Sequence, residues 1–310
     1  MKRLRARTHD YTVVSLCRLF GIHSKQAFYQ HKDEFQLRVI KERFAMEWVK
    51  EIRTLDGGLG GEKLWLMYKT YFGSTYCFGR DSFAALLRRN GLTIRQRRKA
   101  PRTTNSDHDL PTYPNLIKEL RILRPMQVWV SDITYIKMRN DKFCFLSLLT
   151  DAYHKEIMGY SVGKDLSTLY PLNALKQAVK KIAESKELKL IHHSDRGVQY
   201  ASFAYTDYLK ANGISISMTE NGDPKENAIA ERVNGIIKTE FLADKQFDTI
   251  EQVRKAVDIA VEFYNTRRPH QSLNMMTPIQ ASQCTGELKK HHWISYAEKY
   301  RKQETNVVTI

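Results

Sequence analysis

The chain has 310 residues, of which 42% are hydrophobic and 27% charged; 50 Lys+Arg against 34 Asp+Glu give a formal net charge of +16. That hydrophobic share suffices to bury a core, which excludes a disordered chain, and the cationic excess points to a polyanionic partner. No apolar run reaches the roughly 18 residues of a membrane span, the basic start leads into no apolar signal core, and Cys17, Cys77, Cys144 and Cys284 form no Cys-x-x-Cys pair. A cytoplasmic protein is expected, without membrane insertion, zinc cluster or disulfide framework.

The excess charge is uneven. The first 110 residues hold 22 Lys+Arg and 11 Asp+Glu, the remaining 200 hold 28 and 23. A basic binding module joined to a less basic body is therefore expected. Residues 12 to 20 have apolar side chains at helical spacing, Gly21 breaks them, and Ser24 can cap a second helix over residues 25 to 30. Helix, glycine turn and capped helix outline either a helix-turn-helix or an ordinary helical hairpin. A helix is expected over residues 35 to 55, a glycine-rich break at 56 to 61, and a helix from Glu62 to Tyr71 with a turn at 72 to 75. A further amphipathic helix over residues 80 to 89 is closed by Asn90-Gly91. Arg95-Gln-Arg-Arg-Lys-Ala-Pro-Arg102 follows, with five cations in eight residues, and Arg95, Arg97, Arg98 and Lys99 are candidate phosphate contacts.

Residues 103 to 115 are polar and carry two prolines, which is linker composition. Strands are then expected over residues 126 to 138, 143 to 151 and 156 to 162, resembling an antiparallel meander. A helix over 169 to 185, a short strand over 189 to 193, a helix over 202 to 211, a strand over 214 to 218 and helices over 225 to 245 and 249 to 265 complete the pattern. This order predicts an α/β fold with a mixed five-stranded sheet covered by helices, preceded by an all-α region. The boundaries so drawn are a helix-turn-helix-like segment at 1–40, a basic helical region at 41–102, a linker at 103–124, the core at 125–280 and a tail at 281–310.

Three carboxylates stand where folding alone gives little reason for them. Asp132 interrupts the strand Val128-Trp-Val-Ser-Asp-Ile-Thr-Tyr-Ile136, whose interior disfavours Asp. Asp195 follows the short strand at the edge where α/β sheets carry their sites. Glu231 lies early in a helix, with Asn227, Asn234 and Lys238 on its face at i−4, i+3 and i+7. Each acid alone also fits an ordinary surface or turn position. Together, in a basic chain without a phosphate loop or a nucleophile elbow, they form a hard oxygen donor set of the kind that Mg²⁺ or Mn²⁺ prefers. His192 and His193 lack partners at zinc spacing and read as structural strand-end residues.

The stretches Trp129-Val-Ser-Asp-Ile-Thr-Tyr135, His193-Ser-Asp-Arg-Gly-Val-Gln-Tyr200, Ser217 to Ala228, Ala230-Glu-Arg-Val-Asn-Gly-Ile-Ile-Lys-Thr-Glu240 and Tyr264-Asn-Thr-Arg-Arg-Pro-His-Gln-Ser-Leu273 resemble the integrase-type transposases of bacterial insertion sequences. Between Asp195 and Glu231 stand 35 residues, the spacing that names the Asp, Asp, 35, Glu family. The resemblance covers residues 10 to 280 and implies a ribonuclease H-like core. It implies that Asp132, Asp195 and Glu231 are catalytic and hold two Mg²⁺ (or Mn²⁺) ions. Nicking at the element's ends would free a 3′ hydroxyl that then attacks a second phosphodiester. Lys238 matches the family's DNA-contacting lysine, Asn227 and Asn234 would support substrate or ligand contacts, and Arg267 and Arg268 lie in the family's Tyr-Asn-x-x-Arg-Pro-His segment, as DNA contacts or as packing and capping at the end of the last helix. Implied partners are double-stranded DNA, as the element's terminal inverted repeats and its target, a second copy of the chain, and an upstream-frame protein or fusion, on the bacterial nucleoid.

Glu226 stands where the family often has Asp, and Arg232-Val233 replaces an aromatic that commonly follows the Glu. Two rival readings share features with this one. A ribonuclease acting on RNA:DNA hybrids would have the same fold and acids, and a decayed or repurposed DNA-binding protein would keep the basic preface.

Overall fold

The computed structural model describes residues 12–19, 21, 25–94, 110–182, 189–220 and 227–291. The chain divides into two compact units, one of Met1–Arg53 and Leu64–Thr93, the other of Thr54–Lys63 and Ile94–Ile310.

The first unit is helical, built on α1 (Val13–Leu19), α2 (Lys25–Leu55), α3 (Gly61–Tyr76) and α4 (Arg80–Arg89). Where the sequence suggested two separate helices, α2 runs unbroken for 31 residues. The stretch His31-Lys-Asp-Glu34 holds no Gly or Pro to stop it. The boundary drawn at residue 40 thus falls inside a helix. Ala45, Val49 and Ile52 form the buried stripe of α2, and Trp48 meets Tyr68 edge-on at 5.3 Å. The expected turn at 72 to 75 is a kink at Gly73, whose φ of 69° is left-handed, and Asn90-Gly91 closes α4 as expected. The turn residues 22 to 24 of the suggested helix-turn-helix lie outside the described residues, as do Arg95, Arg97, Arg98 and Lys99.

The second unit holds the expected mixed sheet, of β1 (Val128–Lys137), β2 (Phe143–Asp151), β3 (Ile157–Gly163), β4 (Ile191–Ser194) and β5 (Ser215–Met218). Its strand order is β3-β2-β1-β4-β5. The meander β1–β2–β3 is antiparallel, and β4 and β5 add in parallel beside β1. Asn140 and Asp141, both at positive φ, make the turn from β1 to β2.

Alternate residues of β1 face opposite layers. Trp129 points into a core with Leu149 and Met158, Leu175 and Ala178 of α5 (Leu169–Ile182), Tyr200 and Ala201 of the short α6 (Val198–Ala201), and Tyr205 and Leu209 of α7 (Phe203–Ala211). The absence of a Cβ at Gly159 lets β3 approach α5, because a methyl there would collide with the carbonyl oxygen of Ala174. Val128 and Val130 face the other way, onto Ala152 and Ala230 of α8 (Ala228–Ile236). The single helix expected over residues 225 to 245 is instead α8 followed by a π-helical turn, Ile237–Phe241; residues 221 to 226 are not described. A Thr249–Gln252 capping box opens α9 (Ile250–Thr266). The Asn265 side-chain amide pairs with the backbone N–H and C=O of Ile157 at 3.0 and 3.1 Å, which satisfies the first residue of the edge strand β3. A 3₁₀ turn (Gln271–Leu273) and α10 (Pro278–Ala281) follow.

Candidate active site

The parallel pairing of β1 with β4 sets Val130 opposite His193. Asp132, inside β1, and Asp195, just beyond the end of β4, each stand two residues further along, so two acids distant in sequence come to adjacent strands. Both are half-buried. Asp132 Oδ1 accepts the Ile133 N–H at 2.9 Å, and Asp195 Oδ1 accepts the Gly197 N–H at 3.0 Å. Tyr200 lies near both acids. Burial first, and then the charges of Tyr205, Asp132 and Asp195, push its hydroxyl well above the usual tyrosine range.

The third acid arrives on α8, which is stapled to β1 by two asparagines. Asn227 Nδ2 donates to the Ser131 carbonyl at 3.0 Å and Asn234 Nδ2 to Asp132 Oδ2 at 2.9 Å. Both side chains are buried. Glu231 lies between them on the same helical face, four residues after one anchor and three before the other, and its N–H bonds back to the Asn227 carbonyl at 3.1 Å. Among the described residues, no three His, Cys, Asp or Glu side chains converge closely enough to hold a metal ion. The fold therefore brings Asp132 and Asp195 to adjacent positions and aims the helix of Glu231 at Asp132 without gathering all three acids to one point.

Lys238 stands on the π-helical turn beyond α8, its ammonium 3.5 Å from the centre of the Tyr135 ring, three residues after Asp132 on β1. Burial lowers its pKa. His192 is a core residue, as expected: the Ser131 and Tyr205 hydroxyls each lie 2.9 Å from its Nε2, and burial, with the charge of His193, brings it down to about 3. His193 is buried too, its Nδ1 2.8 Å from the Ser217 hydroxyl across the β4–β5 pair.

Arg267 is exposed. Arg268, expected beside it as a DNA contact, is turned inward and only 1% exposed, its Nε and Nη2 donating to the Glu240 carboxylate at 2.7 to 2.9 Å. Asn227 and Asn234, expected to support substrate contacts, spend their amides on β1 itself. Tyr135, Tyr200 and Glu240 all lie within the motifs that carried the resemblance, yet periodicity assigns them no role. Their partners lie on other elements, and only folding brings them together.

Two family models, both described as the integrase core domain, match residues 123–224 and 212–278. A putative transposase for insertion sequence element IS986/IS6110 of Mycobacterium tuberculosis is 30% identical over 260 residues, covering 82% of this chain and 92% of the relative. The IS600 31 kDa protein of Shigella sonnei is 34% identical over 205 residues, covering 64% of this chain and 73% of the relative. The transposase for IS629 of the same species is 32% identical, covering 66% of this chain and 68% of the relative. Among solved structures, the HTLV-2 integrase catalytic core domain in complex with magnesium matches at 21% identity and a TM-score of 0.42, over 52% of this chain and 99% of that one. By a relative at 30% identity of which the chain covers 92%, and by its integrase core domain, the chain belongs to the transposases of bacterial insertion sequences.

Proposed function

We propose that this chain is a polynucleotidyl transferase that moves an insertion sequence, nicking the element's DNA ends and joining the freed strands to a second phosphodiester. The observation that supports the reading is the placing of Asp132 within β1 and Asp195 just past the adjacent, parallel β4, with Glu231 on a helix bonded to Asp132 through Asn234. The oxygen-only donor set suits Mg²⁺ or Mn²⁺ and offers nothing to a softer metal. Asp132, Asp195 and Glu231 would hold two such ions, which supply Lewis acidity for activating an attacking oxygen and stabilising a leaving one.

The chain's own residues do the rest. Asn234 fixes one oxygen of Asp132 and leaves the carboxylate plane defined. The Gly197 N–H orients Asp195 in the same manner. Lys238 and the exposed Arg267 offer cations to backbone phosphates, as do Arg95, Arg97, Arg98 and Lys99 in the basic stretch. Hydrolysis first frees a 3′ hydroxyl at each end; that hydroxyl then displaces a 3′-linked oxygen at a second site, so phosphodiester bonds are exchanged and no nucleotide cofactor is consumed. The substrates are the terminal inverted repeats and target DNA, with a second copy of the chain and an upstream-frame product as partners in assembly. The similar proteins are transposases and integrases, which favours this reading over a ribonuclease of RNA:DNA hybrids.

The test uses purified protein, labelled duplexes bearing the ends of the element that encodes it, and Mg²⁺. Wild type is expected to nick at the 3′ ends and join strands, whereas Asp195→Asn is expected to bind the ends and leave them intact. Undiminished cleavage by that variant would remove Asp195 from the site.

A further inference from the structure

The inward-facing Arg268 belongs to a buried cluster that no part of the strand-end site explains. Its guanidinium makes a two-pronged bond to Glu240: Nε to Oε2 at 2.9 Å, Nη2 to Oε1 at 2.9 Å and to Oε2 at 2.7 Å. Nη1 lies 3.2 Å from the ring nitrogens of His270, and the Tyr264 ring lies 5.9 Å from the guanidinium carbon. Asp56 approaches Arg268 Nε at 3.9 Å from the glycine-rich segment Thr54–Lys63, which packs as part of the same unit although it precedes the core by some seventy residues. Burial and the charge of Glu240 raise Asp56 to about 7, and burial with the charge of Arg268 lowers Lys63 to about 8.

Glu240 sits on the π-helical turn Ile237–Phe241, two residues after Lys238. A helix end leaves carbonyls without intrahelical donors, and a remote segment caps this one: the Gly58 N–H donates to the Glu240 carbonyl at 2.9 Å. Gly58 alone permits the approach, since a Cβ there would lie 2.5 Å from Glu240 Cα. The turn is thus gripped at Lys238 by Tyr135 of β1, at the Glu240 side chain by Arg268 and at the Glu240 backbone by Gly58. An apolar plug would fill the same space with less desolvation. A planar fork additionally fixes direction, because both prongs must stay aligned with one carboxylate.

We infer that Arg268 is a positioning residue for strand cleavage and joining, holding Glu240 so that the turn beyond Glu231 keeps Lys238 against Tyr135 of β1, with the Asp56–Gly58 segment closing over the same turn. This rests on the transposase reading, and it assigns Arg268 an inward role in place of contact with DNA.

Arg268→Lys keeps the buried charge and loses the fork; Glu240→Gln keeps the shape and loses the charge. Both are compared with wild type by thermal melting, by end-binding affinity and by steady-state nicking of end duplexes in Mg²⁺, below the melting point of every variant. Folded Arg268→Lys is expected to lose about tenfold or more in kcat with the KM for ends within about threefold of wild type, the pattern of misplaced rather than missing contacts. Gly58→Ala, which forces the capping segment off the turn, is expected to shift kcat in the same direction. Folded Arg268→Lys with wild-type kcat would overturn the inference and leave the transposase reading standing. Loss of end binding in step with kcat would make Arg268 a DNA contact after all, and unfolding of Arg268→Lys would make the cluster a folding element; either overturns the inference. An inactive wild type would bring down the transposase reading and this inference together.

Discussion

Two gatherings of acidic side chains in the second unit treat their members differently. On the adjacent strands β1 and β4, Asp132 and Asp195 are half-buried and receive hydrogen bonds from amides, the Asn234 side chain and backbone N–H groups. A segment some seventy residues ahead of the core joins the core's own helices to form the other cluster, where Asp56 and Glu240 face the buried guanidinium of Arg268. Amide donors orient a carboxylate and leave its charge available, while a guanidinium fork consumes it. The same residue type serves chemistry in one environment and geometry in the other, and the neighbour decides which.

Breaking the first cluster should have the largest effect. Asp132→Asn is expected to reduce nicking and joining in Mg²⁺ to the level of a protein-free control while melting close to wild type, since amide replaces carboxylate at nearly constant shape. Breaking the second should act on stability first. Arg268→Ala strands the Glu240 charge in the interior and is expected to cost about 3–5 kcal/mol of unfolding free energy, whereas the paired Arg268→Met, Glu240→Met chain recovers much of that loss in urea titrations. Failure of the pair to recover would mean that the cluster's worth lies outside the ion pair. A smaller effect is expected where orientation alone is removed. Asn234→Ala takes one donor from Asp132 and should cost about 1–3 kcal/mol, divided between stability and the nicking rate and separable by melting and single-turnover assays.

A pH-dependent effect comes from a third group of charges. His154 is fully buried in the turn between β2 and β3, its Nδ1 3.0 Å from Asp151 and its Nε2 3.1 Å from Glu156, beyond which lies Lys181. Burial disfavours its charged form, but the bonds to Asp151 and Glu156 outweigh burial and raise it to about 9. A histidine raised in the folded state contributes its full stabilisation below its ordinary value near 6.5 and loses it as the pH climbs through 9. Unfolding free energy should therefore decline across that window by at most about 1.4 kcal/mol per pH unit, and His154→Gln should flatten the decline. An unchanged slope in that variant would show that another group carries it.

Much of the active-site face was legible in the sequence because its signals are local. An Asp inside a β-rich run, an Asp closing a short strand and a polar helical face around Glu231 are each visible within a dozen residues, and the order of elements supplied the mixed sheet. What stayed hidden depends on contacts between distant segments. Arg268 beside Arg267 reads as a pair of surface cations, and nothing nearby reveals that one of them meets Glu240. The glycines at 57 to 61 read as a flexible break, whereas Gly58 is where a remote backbone must pass close. The continuous α2 is hidden for the opposite reason: residues 31 to 34 are all polar and interrupt the apolar pattern, although no residue there opposes a helix.

The π-helical turn has a consequence for how this helix tolerates change in length. Asn227 and Asn234 pin its beginning to β1, and Gly58 and Arg268 pin its end through Glu240. A helix held at both ends cannot absorb a surplus residue by rotating its remainder, since about 100° of rotation would carry one set of anchors out of reach. The surplus is stored as a wider turn between the anchors. Removing one residue within Ile237–Phe241 should therefore relax the turn to a regular α-helix and leave everything beyond it in place, whereas a deletion between Asn227 and Asn234 has no such slack to draw on.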